Sequence, residues 1–448
     1  MPTTTASPRT ARTPFTGSPV QAATRLARAG AHEQYVVYER DGAWWYAGGV
    51  RASLVVDRTR VTLDHAGDRT VTSWHGDPLR TVHQLLSSLP FAHWRAYGWV
   101  TFELSYALAG DTAGLGDEPL LHLVIPEAEV RLAADGAEIL SGDPDDERKL
   151  LALLATADTV AEAAEFTPVS VDLREPVEGA YHRSVARAVE LIRAGDLQKV
   201  ILSRTVPVDR ELDLPATYLA GRSVNSPARS FLLNLGGIEA VGFSPETVVE
   251  VCPDGRVSTQ PLAGTRALSG DASQDAARRA ELLTNAKEIY EHAISVQVAW
   301  DEMAAVCREG SVRAEEFMTV KERGSVQHLA SRVTGELPYG ERGPWPALAA
   351  VFPAVTASGV PKSAAYRVIR ELEGGPRGLY SGAVLTVGDD GSLDAALVLR
   401  TAFRQQGRTW LRAGAGIVEQ STPDREFEET CEKLRSVSRS LVPATGSH

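Results

Sequence analysis

The sequence predicts a mixed α/β protein, because segments with strand patterning alternate with segments that have the period of amphipathic helices. Residues 35–46 contain two runs of aromatic and β-branched residues around Asp41-Gly42, which is the pattern of a hairpin with a tight turn. Residues 180–194 instead place apolar side chains three or four apart on one stripe, and Gly195 follows as a stop signal. Both kinds of pattern recur along the chain.

The composition limits the function. The 448 residues are 43% hydrophobic and 23% charged, which is usual for a globular chain of one large or two to three ordinary domains. A net charge of −12 argues against a nucleic-acid partner, and no apolar run reaches the roughly 18–20 residues that span a bilayer. The cysteines Cys252, Cys307 and Cys431 lack CxxC spacing, so we expect a cytoplasmic protein without a structural zinc.

The chain is expected to have a flexible N-terminal extension over residues 1–32, one domain over 33–441 and a disordered tail over 442–448. The extension is rich in Arg, Thr and Ala like a transit peptide, but prolines interrupt any amphipathic helix in it. Within the domain, residues 33–165 are a strand-rich scaffold half, and 176–441 carry the chemical motifs. The two halves could be a distantly related pair, which the sequence alone does not decide.

Further elements follow from local patterns. In the first half, the expected strands are Leu54–Val56, Val61–Leu63 and Tyr97–Leu104, and the polar turn Gly142–Arg148 precedes a helix over Lys149–Ala164. In the second half, the expected strands are Lys199–Val208, Phe231–Leu235, Ala240–Phe243, Val257–Leu262, Ser325–Val333, Leu379–Val387, Leu393–Phe403 and Thr409–Val418. Small-residue turns are expected at Ala263–Arg266 and Ala413–Gly416, a loop at Phe352–Lys362, and helices at Asp275–Val306 and Pro423–Leu441.

Two of these helices carry paired carboxylates. Glu288 and Glu291 are three residues apart on one helix, and Glu426 and Glu429 are three apart on the other. Either pair alone is more often a solvated helix face. If all four carboxylates face one cavity, they repel unless a hard divalent cation lies among them, and Mg²⁺ prefers such oxygen ligands.

Three further charged residues lie in or beside predicted strands. Lys199 begins a strand, where a lysine usually protects a sheet edge. Glu246 follows Pro245 at the rim of a strand. Arg400 lies in the otherwise apolar segment Ala395–Ala402, so its charge needs a partner, and a carboxylate that binds it in a bidentate manner is the natural one.

Nine motifs in order resemble the chorismate-utilizing enzymes, and among these the salicylate synthases of siderophore pathways are the most similar. The motifs are KVILSR at 199–204, GFSPE at 242–246, PLAGTRA at 261–267, KEIYEHAIS at 287–295, GSVQHL at 324–329, FPAVTASG at 352–359, RGLYSGAV at 377–384, RAGAGIV at 412–418 and EFEETCEKL at 426–434. The resemblance implies an α/β fold of two packed antiparallel β-sheets with helices on the outside.

The resemblance also implies roles for individual residues. Lys199 would be the base that activates water for attack at C2 of chorismate, and Glu246 the acid that protonates the departing C4 hydroxyl. Mg²⁺ would be bound by Glu291 and Glu426, with Glu288 and Glu429 assisting. The substrate would be contacted by Gly264, Thr265, His328, Thr356, Tyr380, Arg400, Gly414, Gly416 and Lys433.

Lys199 and Thr356 indicate which member of the family this chain resembles. The ammonia-using members look to have glutamine in place of Lys199, so lysine implies water as the nucleophile and isochorismate as first product. Thr356 resembles the members that then release pyruvate to give salicylate. We therefore expect a monomeric salicylate synthase without a glutaminase subunit. An isochorismate synthase, an anthranilate-synthase-type component and a non-catalytic relative are the alternatives.

Overall fold

The computed structural model describes residues 12–140, 143–156, 167–174, 179–323, 326–338 and 343–444. The helices are α1 Pro19–Arg28, α2 Pro78–Ser87, α3 Leu104–Leu108, α4 Pro144–Ala155, α5 Ala180–Arg193, α6 Leu214–Val224, α7 Ala272–Thr284, α8 Ala286–Ala304, α9 Trp345–Val351, α10 Lys362–Leu372 and α11 Pro423–Ser438. None of these described helices has both the length and the apolar character needed to cross a membrane.

The strands are β1 Tyr35–Arg40, β2 Ala43–Gly48, β3 Ala52–Val56, β4 Arg60–His65, β5 Asp68–Ser73, β6 Arg95–Val100, β7 Leu121–Ile125, β8 Ala128–Ala133, β9 Gly136–Ile139, β10 Lys199–Pro207, β11 Arg229–Leu235, β12 Ile238–Ser244, β13 Thr247–Val251, β14 Arg256–Thr259, β15 Leu262–Ala267, β16 Arg313–Arg323, β17 Val326–Glu336, β18 Gly359–Val360, β19 Ala383–Gly388, β20 Leu393–Leu397, β21 Thr401–Gln405 and β22 Arg408–Ile417.

These strands form two antiparallel sheets. Sheet A has the order β18-β10-β22-β21-β12-β11-β1-β2-β8-β9. Sheet B has the order β15-β17-β14-β13-β20-β19-β6-β7-β3-β4-β5, and β16 pairs with β17. The expected fold of two packed antiparallel sheets is therefore confirmed.

The sheets pack face to face, and helices cover the outer faces. On β1, Val36 packs into the core between the sheets with Trp99 of sheet B, whereas Val37 packs outward with Leu26 of α1. Adjacent residues of a strand point to opposite faces, so a strand buried on both faces needs apolar residues at every position. Helices α2 and α9 contribute to a second outer core with residues of sheet B, such as Leu54.

The two halves of the chain repeat one strand order. In sheet A, β1, β2, β8 and β9 run outward from the centre on one side, and β11, β12, β21 and β22 run outward on the other. In sheet B, β6, β7, β3 and β4 are likewise matched by β19, β20, β13 and β14. The central pairs β1·β11 and β6·β19 join the halves. The scaffold half is thus built into the same two sheets as the motif-bearing half.

The N-terminal segment differs from the expected flexible extension. Residues 19–28 form helix α1, and Ala22, Ala23 and Leu26 are fully buried. Pro19 does not break this helix, because it occupies the first turn, where the missing N–H has no helical partner. The Ser18 side chain caps the helix. Residues 1–11 lie outside the described part of the chain.

The C-terminal tail also differs in part. Pro443 forms an isolated β-bridge with Leu212, and the backbone N–H of Asp213 donates to the carbonyl of Val442. Residues 442–444 are therefore attached to the domain, and 445–448 lie outside the described residues. In the first half, α4 begins at Pro144, inside the expected turn, and the expected helix end beyond residue 156 lies outside the described residues.

Three expected elements of the second half are corrected. The single helix expected over Asp275–Val306 is two helices, because Asn285 ends α7 and caps α8 by accepting from the backbone N–H of Lys287 at 3.0 Å. The expected turns Ala263–Arg266 and Ala413–Gly416 lie within β15 and β22. The glycines in these two strands allow neighbouring side chains to lie close to the backbone.

Candidate active site

Glu246 and Arg400 lie where the chain crosses between the two sheets. Ser244-Pro245-Glu246 leads from β12 of sheet A to β13 of sheet B, and Arg400 precedes β21 on the way back from β20. The backbone N–H of Leu397 donates to the carbonyl of Glu246 at 3.2 Å, which ties the crossovers together. Arg400, expected inside a continuous strand, instead lies in a break after Leu397 with φ 50°.

A cavity of about 630 Å³ opens beside these crossovers. It is bounded by β10, β15, β22, α8 and α11. The residues predicted from the sequence that line it are Lys199, Glu246, Gly264, Thr265, Glu288, Glu291, His328, Thr356, Tyr380, Arg400, Gly414, Gly416, Glu429 and Lys433. Glu426 is not in the lining and is 1% exposed. The structure thus gathers residues from both ends of the second half around one space.

Glu246 has the environment of a carboxylic acid that can release a proton near neutrality. It is 2% exposed, and burial raises its pKa to about 7. The Thr356 hydroxyl donates to Oε1, and the Leu262 backbone N–H donates to Oε2 at 3.0 Å; both bonds favour the ionised form and limit the rise. Thr356 therefore contacts the proposed acid directly.

Arg400 is a half-buried cation that faces the cavity without a carboxylate partner among the described residues. Its guanidinium donates to the carbonyl of Arg323 at 3.2 Å and lies 3.0 Å from Nε2 of His328. Burial lowers the pKa of Arg400 to about 10. The expected carboxylate partner is thus not supplied by a described residue, which leaves this charge available to a bound anion.

His328 is held neutral between Arg400 and Thr265. Burial, and then the nearby Arg400 charge, lower the pKa of His328 well below its usual value. Its Nδ1 lies 3.0 Å from the Thr265 hydroxyl. A neutral ring that accepts from Arg400 at Nε2 must carry its proton on Nδ1, so His328 orients the guanidinium without adding charge.

Lys199 forms an ion pair with one of the predicted metal ligands. Its Nζ is 2.8 Å from Oε1 of Glu291, and the residue is 2% exposed. The alternative of an edge-protecting lysine is wrong, because β10 is paired on both sides by β18 and β22 and the side chain is buried. A Cβ at Gly416 would lie 3.0 Å from Glu291 Oε1 and 3.3 Å from Lys199 Cε, so this glycine leaves room for the pair.

The other three glutamates have different surroundings. Glu288 lies 2.8 Å from the Arg266 guanidinium, and Glu429 lies 2.8 Å from the Lys433 ammonium. Burial opposes ionisation of Glu429, but Lys433 still lowers its pKa. Glu426 is different, because burial and then Glu429 raise its pKa, and its Oε1 has no hydrogen-bond partner among the described residues.

The donor set of Glu288, Glu291, Glu426 and Glu429 fits a hard divalent cation in its chemistry, since all donors are carboxylate oxygens. Among these donors, Oε1 of Glu426 is buried without a hydrogen-bond partner among the described residues, so a bound cation would compensate for its burial. In the described chain, no three of these carboxylates bring ligand atoms within 4.8 Å of one another. Binding of an ion by the set therefore requires rotation of side chains that now pair with Lys199, Arg266 or Lys433.

The predicted glycines make space for these side chains. Gly264 has φ +76°, and a Cβ there would lie 2.9 Å from Oε2 of Glu288. A Cβ at Gly414 would lie 2.9 Å from the Tyr380 hydroxyl, and the Gly414 carbonyl accepts from Lys433 Nζ at 2.8 Å. Burial raises the pKa of Tyr380, so its phenol stays protonated and can donate into the cavity.

A buried network beneath the cavity was not predicted from the sequence. Glu373 accepts from the backbone N–H of Ser203 at 2.7 Å and from the guanidinium groups of Arg377 and Arg412 at 2.6 Å each. Arg412 also lines the cavity. These contacts fix β10 and β22 next to Tyr380. Arg377 begins the RGLYSGAV motif and Arg412 begins the RAGAGIV motif, which were the available signals, whereas Glu373 on the C-terminal side of α10 gave none.

Known proteins share this fold and much of this sequence. The chain is 44% identical to the salicylate synthase of Mycolicibacterium paratuberculosis over 413 residues, which cover 92% of this chain and 90% of that protein. Anthranilate synthase component I from Streptococcus pneumoniae superposes with a TM-score of 0.74 at 25% identity, covering 90% of this chain and 92% of that one. The menaquinone-specific isochorismate synthase of Escherichia coli has the same fold, with a TM-score of 0.71, 20% identity and coverage of 94% and 91%.

The model of the family described as chorismate binding enzyme matches residues 33–439. This match spans all the residues that surround the cavity, from Lys199 to Val437. By this match, and by its likeness to the mycobacterial protein, the chain belongs to the chorismate-binding enzymes.

Proposed function

We propose that this protein is a Mg²⁺-dependent salicylate synthase, which converts chorismate to isochorismate and then to salicylate and pyruvate. The observation that carries the proposal is the placement of Lys199, Glu246 and Arg400 around one cavity, with no carboxylate partner for Arg400 among the described residues. The relative that matches over 92% of this chain is a salicylate synthase, which supports the proposal.

In the first reaction, water attacks C2 of the ring while the C4 hydroxyl departs. Lys199 takes a proton from the attacking water, and Glu246 gives a proton to the leaving hydroxyl, which departs as water. The pKa of Glu246 near 7 supports this assignment, because an effective general acid has a pKa close to the working pH. A neutral Lys199 is required at this step, so its ion pair with Glu291 must loosen when the substrate binds.

In the second reaction, the hydrogen on C2 moves to the methylene carbon of the enolpyruvyl group. The C3–O bond breaks, pyruvate leaves and the ring becomes aromatic, so no further reactant is needed. The site mainly has to hold a reactive conformer for this step. Arg400 and Tyr380 are the residues proposed to hold the enolpyruvyl carboxylate, since a guanidinium and a phenol donor both face the cavity.

The metal is proposed to be Mg²⁺, bound by Glu291 and Glu426 with assistance from Glu288 and Glu429. When bound, it supplies positive charge that offsets the repulsion between these carboxylates and a substrate carboxylate. Lys433 pairs with Glu429 and so reduces the negative charge at the same place. No glutaminase subunit is needed, because the proposed nucleophile is water.

The test is incubation of the purified protein with chorismate and Mg²⁺, followed by identification of the products. Salicylate, which fluoresces, should accumulate together with an equal amount of pyruvate. Accumulation of non-fluorescent isochorismate would instead identify an isochorismate synthase. Anthranilate formed when ammonium is added would identify an anthranilate-synthase-type component, and unchanged turnover in excess chelator would exclude the metal assignment.

A further inference from the structure

Three potential metal ligands meet in the first half of the chain, at a place that is not part of the catalytic cavity. His32, Glu127 and Asp146 each offer one ligand atom, and these atoms lie within 4.8 Å of one another. His32 precedes β1, Glu127 lies in the crossover between β7 and β8, and Asp146 lies in the first turn of α4. None of the three lines the cavity around Lys199.

His32 offers a buried ring nitrogen that makes no hydrogen bond to a described residue. Its side chain is 7% exposed, and Nε2 has no hydrogen-bond partner among the described residues. The nearest charged group is Oδ2 of Asp146 at 3.7 Å, which is too long for a hydrogen bond. The other ring nitrogen, Nδ1, lies 3.0 Å from the Tyr46 hydroxyl. If Nδ1–H donates to Tyr46, Nε2 carries the lone pair that a metal needs.

The backbone around these side chains is shaped to admit them. A Cβ at Gly48 would lie 2.3 Å from Nδ1 of His32, and a Cβ at Gly49 would lie 2.3 Å from Oε2 of Glu127. Gly49 also has φ +74°, which favours glycine. Two adjacent glycines at the end of β2 thus leave space for two of the three ligands.

We propose that His32, Glu127 and Asp146 bind a divalent transition metal, with Zn²⁺ as the preferred ion. An imidazole nitrogen with two carboxylate oxygens suits Zn²⁺, whereas Mg²⁺ prefers oxygen ligands alone. Ligands about 2.0–2.2 Å from Zn²⁺ lie roughly 3.4 Å from one another, so a small closing movement completes the site. The ion would join the segment before β1, the β7–β8 crossover and α4.

Lys149 is a neighbouring cation that competes with a metal ion for Asp146. Nζ of Lys149 lies 3.4 Å from Oδ1 of Asp146, but its side chain is 68% exposed. The contact is made by Oδ1, whereas Oδ2 is the oxygen nearer to His32. A surface ion pair of this kind contributes little free energy, so a metal ion can displace it.

The test measures Zn²⁺ binding by the full-length protein after treatment with chelator, in buffer with excess Mg²⁺ to occupy the catalytic carboxylates. Wild type and Asp145→Asn are compared with Asp146→Asn. Asp145 is the matched control, because it is 70% exposed on the same helical turn and pairs with Arg148. We expect Asp146→Asn to weaken one Zn²⁺ site by at least about 10-fold by calorimetry, while Asp145→Asn leaves that site unchanged.

A second variant and a second metal keep the test decisive. Glu127→Gln should cause the same loss if Asp146→Asn does not fold, and Co²⁺ should give a visible absorption band in wild type that both variants lack. Equal Zn²⁺ stoichiometry and affinity in wild type, Asp145→Asn and the ligand variants would overturn the proposal. Failure of wild type to bind either ion under these conditions would overturn it as well.

Discussion

The crossovers between the sheets occur in both halves of the chain, but they carry different residues. In the second half, the passage from β12 to β13 carries Glu246, and the passage from β20 to β21 carries Arg400. In the first half, the corresponding passage from β2 to β3 begins with Gly49, and that from β7 to β8 carries Glu127. The repeated strand order therefore places crossovers between the sheets at corresponding positions of the two halves.

The candidate site differs from the scaffold half in how charges inside the protein are balanced. In the first half, Glu39 is bound by the Arg222 guanidinium at 2.7 and 2.8 Å, and Glu129 contacts Arg95. At the candidate site, Arg400 has no carboxylate partner among the described residues. The hydrogen bonds that the Glu246 carboxylate accepts from described residues come from neutral groups, the Thr356 hydroxyl and the Leu262 N–H. Charges matched within the protein stabilise a scaffold, whereas unmatched buried charges are available to a ligand.

The largest expected effect is that of Lys199→Ala. Without the base, the rate of water addition to chorismate should fall by about 10²- to 10⁴-fold, while release of pyruvate from supplied isochorismate should be retained in part. Steady-state assays with each substrate measure the two steps separately. Lys321→Ala, which removes a lysine outside the cavity, is the control. Equal loss of both steps would contradict the assignment of the base.

The next effect is expected for Glu426→Gln. The Mg²⁺ concentration needed for half-maximal turnover should rise by about 100-fold or more, because the change removes a proposed ligand. It should not lower the free energy of unfolding at pH 8, since it removes a buried carboxylate whose pKa is raised by burial and by Glu429. Titration with Mg²⁺ and thermal unfolding provide the two measurements. Full Mg²⁺-dependent turnover in the variant would show that Glu426 is not a ligand.

A smaller effect is expected from pH. Because burial raises the pKa of Glu246 to about 7, the acid form predominates below that pH and is lost above it. The slope of log kcat/KM against pH for isochorismate formation should therefore become more negative by about one unit as pH rises through about 7. A pH–rate profile without a titrating group between about pH 6 and 9 would argue against Glu246 as the acid.

The smallest effect on catalysis is expected in the first half, at helix α1. Leu26→Ala should lower the free energy of unfolding by about 2–5 kcal/mol, because it opens a cavity in a fully buried core. Ser18→Ala should cost about 1 kcal/mol through loss of the helix cap. The value of kcat/KM should be unchanged in both. Chemical denaturation measures the free energy of unfolding, and Val71→Ala, at a residue 49% exposed, is the control. Unaltered stability of Leu26→Ala would mean that α1 is not packed in solution.

Local patterns predicted much of the fold. The Asp41-Gly42 hairpin is present, with both residues at positive φ, because a two-residue turn of this kind is specified by its own sequence. The stripe on α5 is buried as expected. By contrast, α1 was missed because four prolines suggested disorder, although Pro19 occupies the position where proline starts a helix.

The candidate site was predicted residue by residue, but its contacts were not. Resemblance indicated Lys199, Glu291 and Glu426, whereas the 2.8 Å ion pair between the first two depends on strands and helices that are distant in sequence. Arg400 was expected inside a continuous strand, yet the strand breaks before it and the side chain meets neutral His328. The role of Glu373 could not be predicted from the sequence, because it depends on contacts with Arg377 and Arg412 that only the fold brings about.

The pairing of β1 with β11 and of β6 with β19 has a consequence for synthesis on the ribosome. When the first half has emerged, both of its central strands lack the neighbours that complete their hydrogen bonding. Exposed apolar strand edges promote association between chains, and contacts between distant segments form slowly. Nascent chains of this protein should therefore depend on chaperones until residues of β19 have left the exit tunnel.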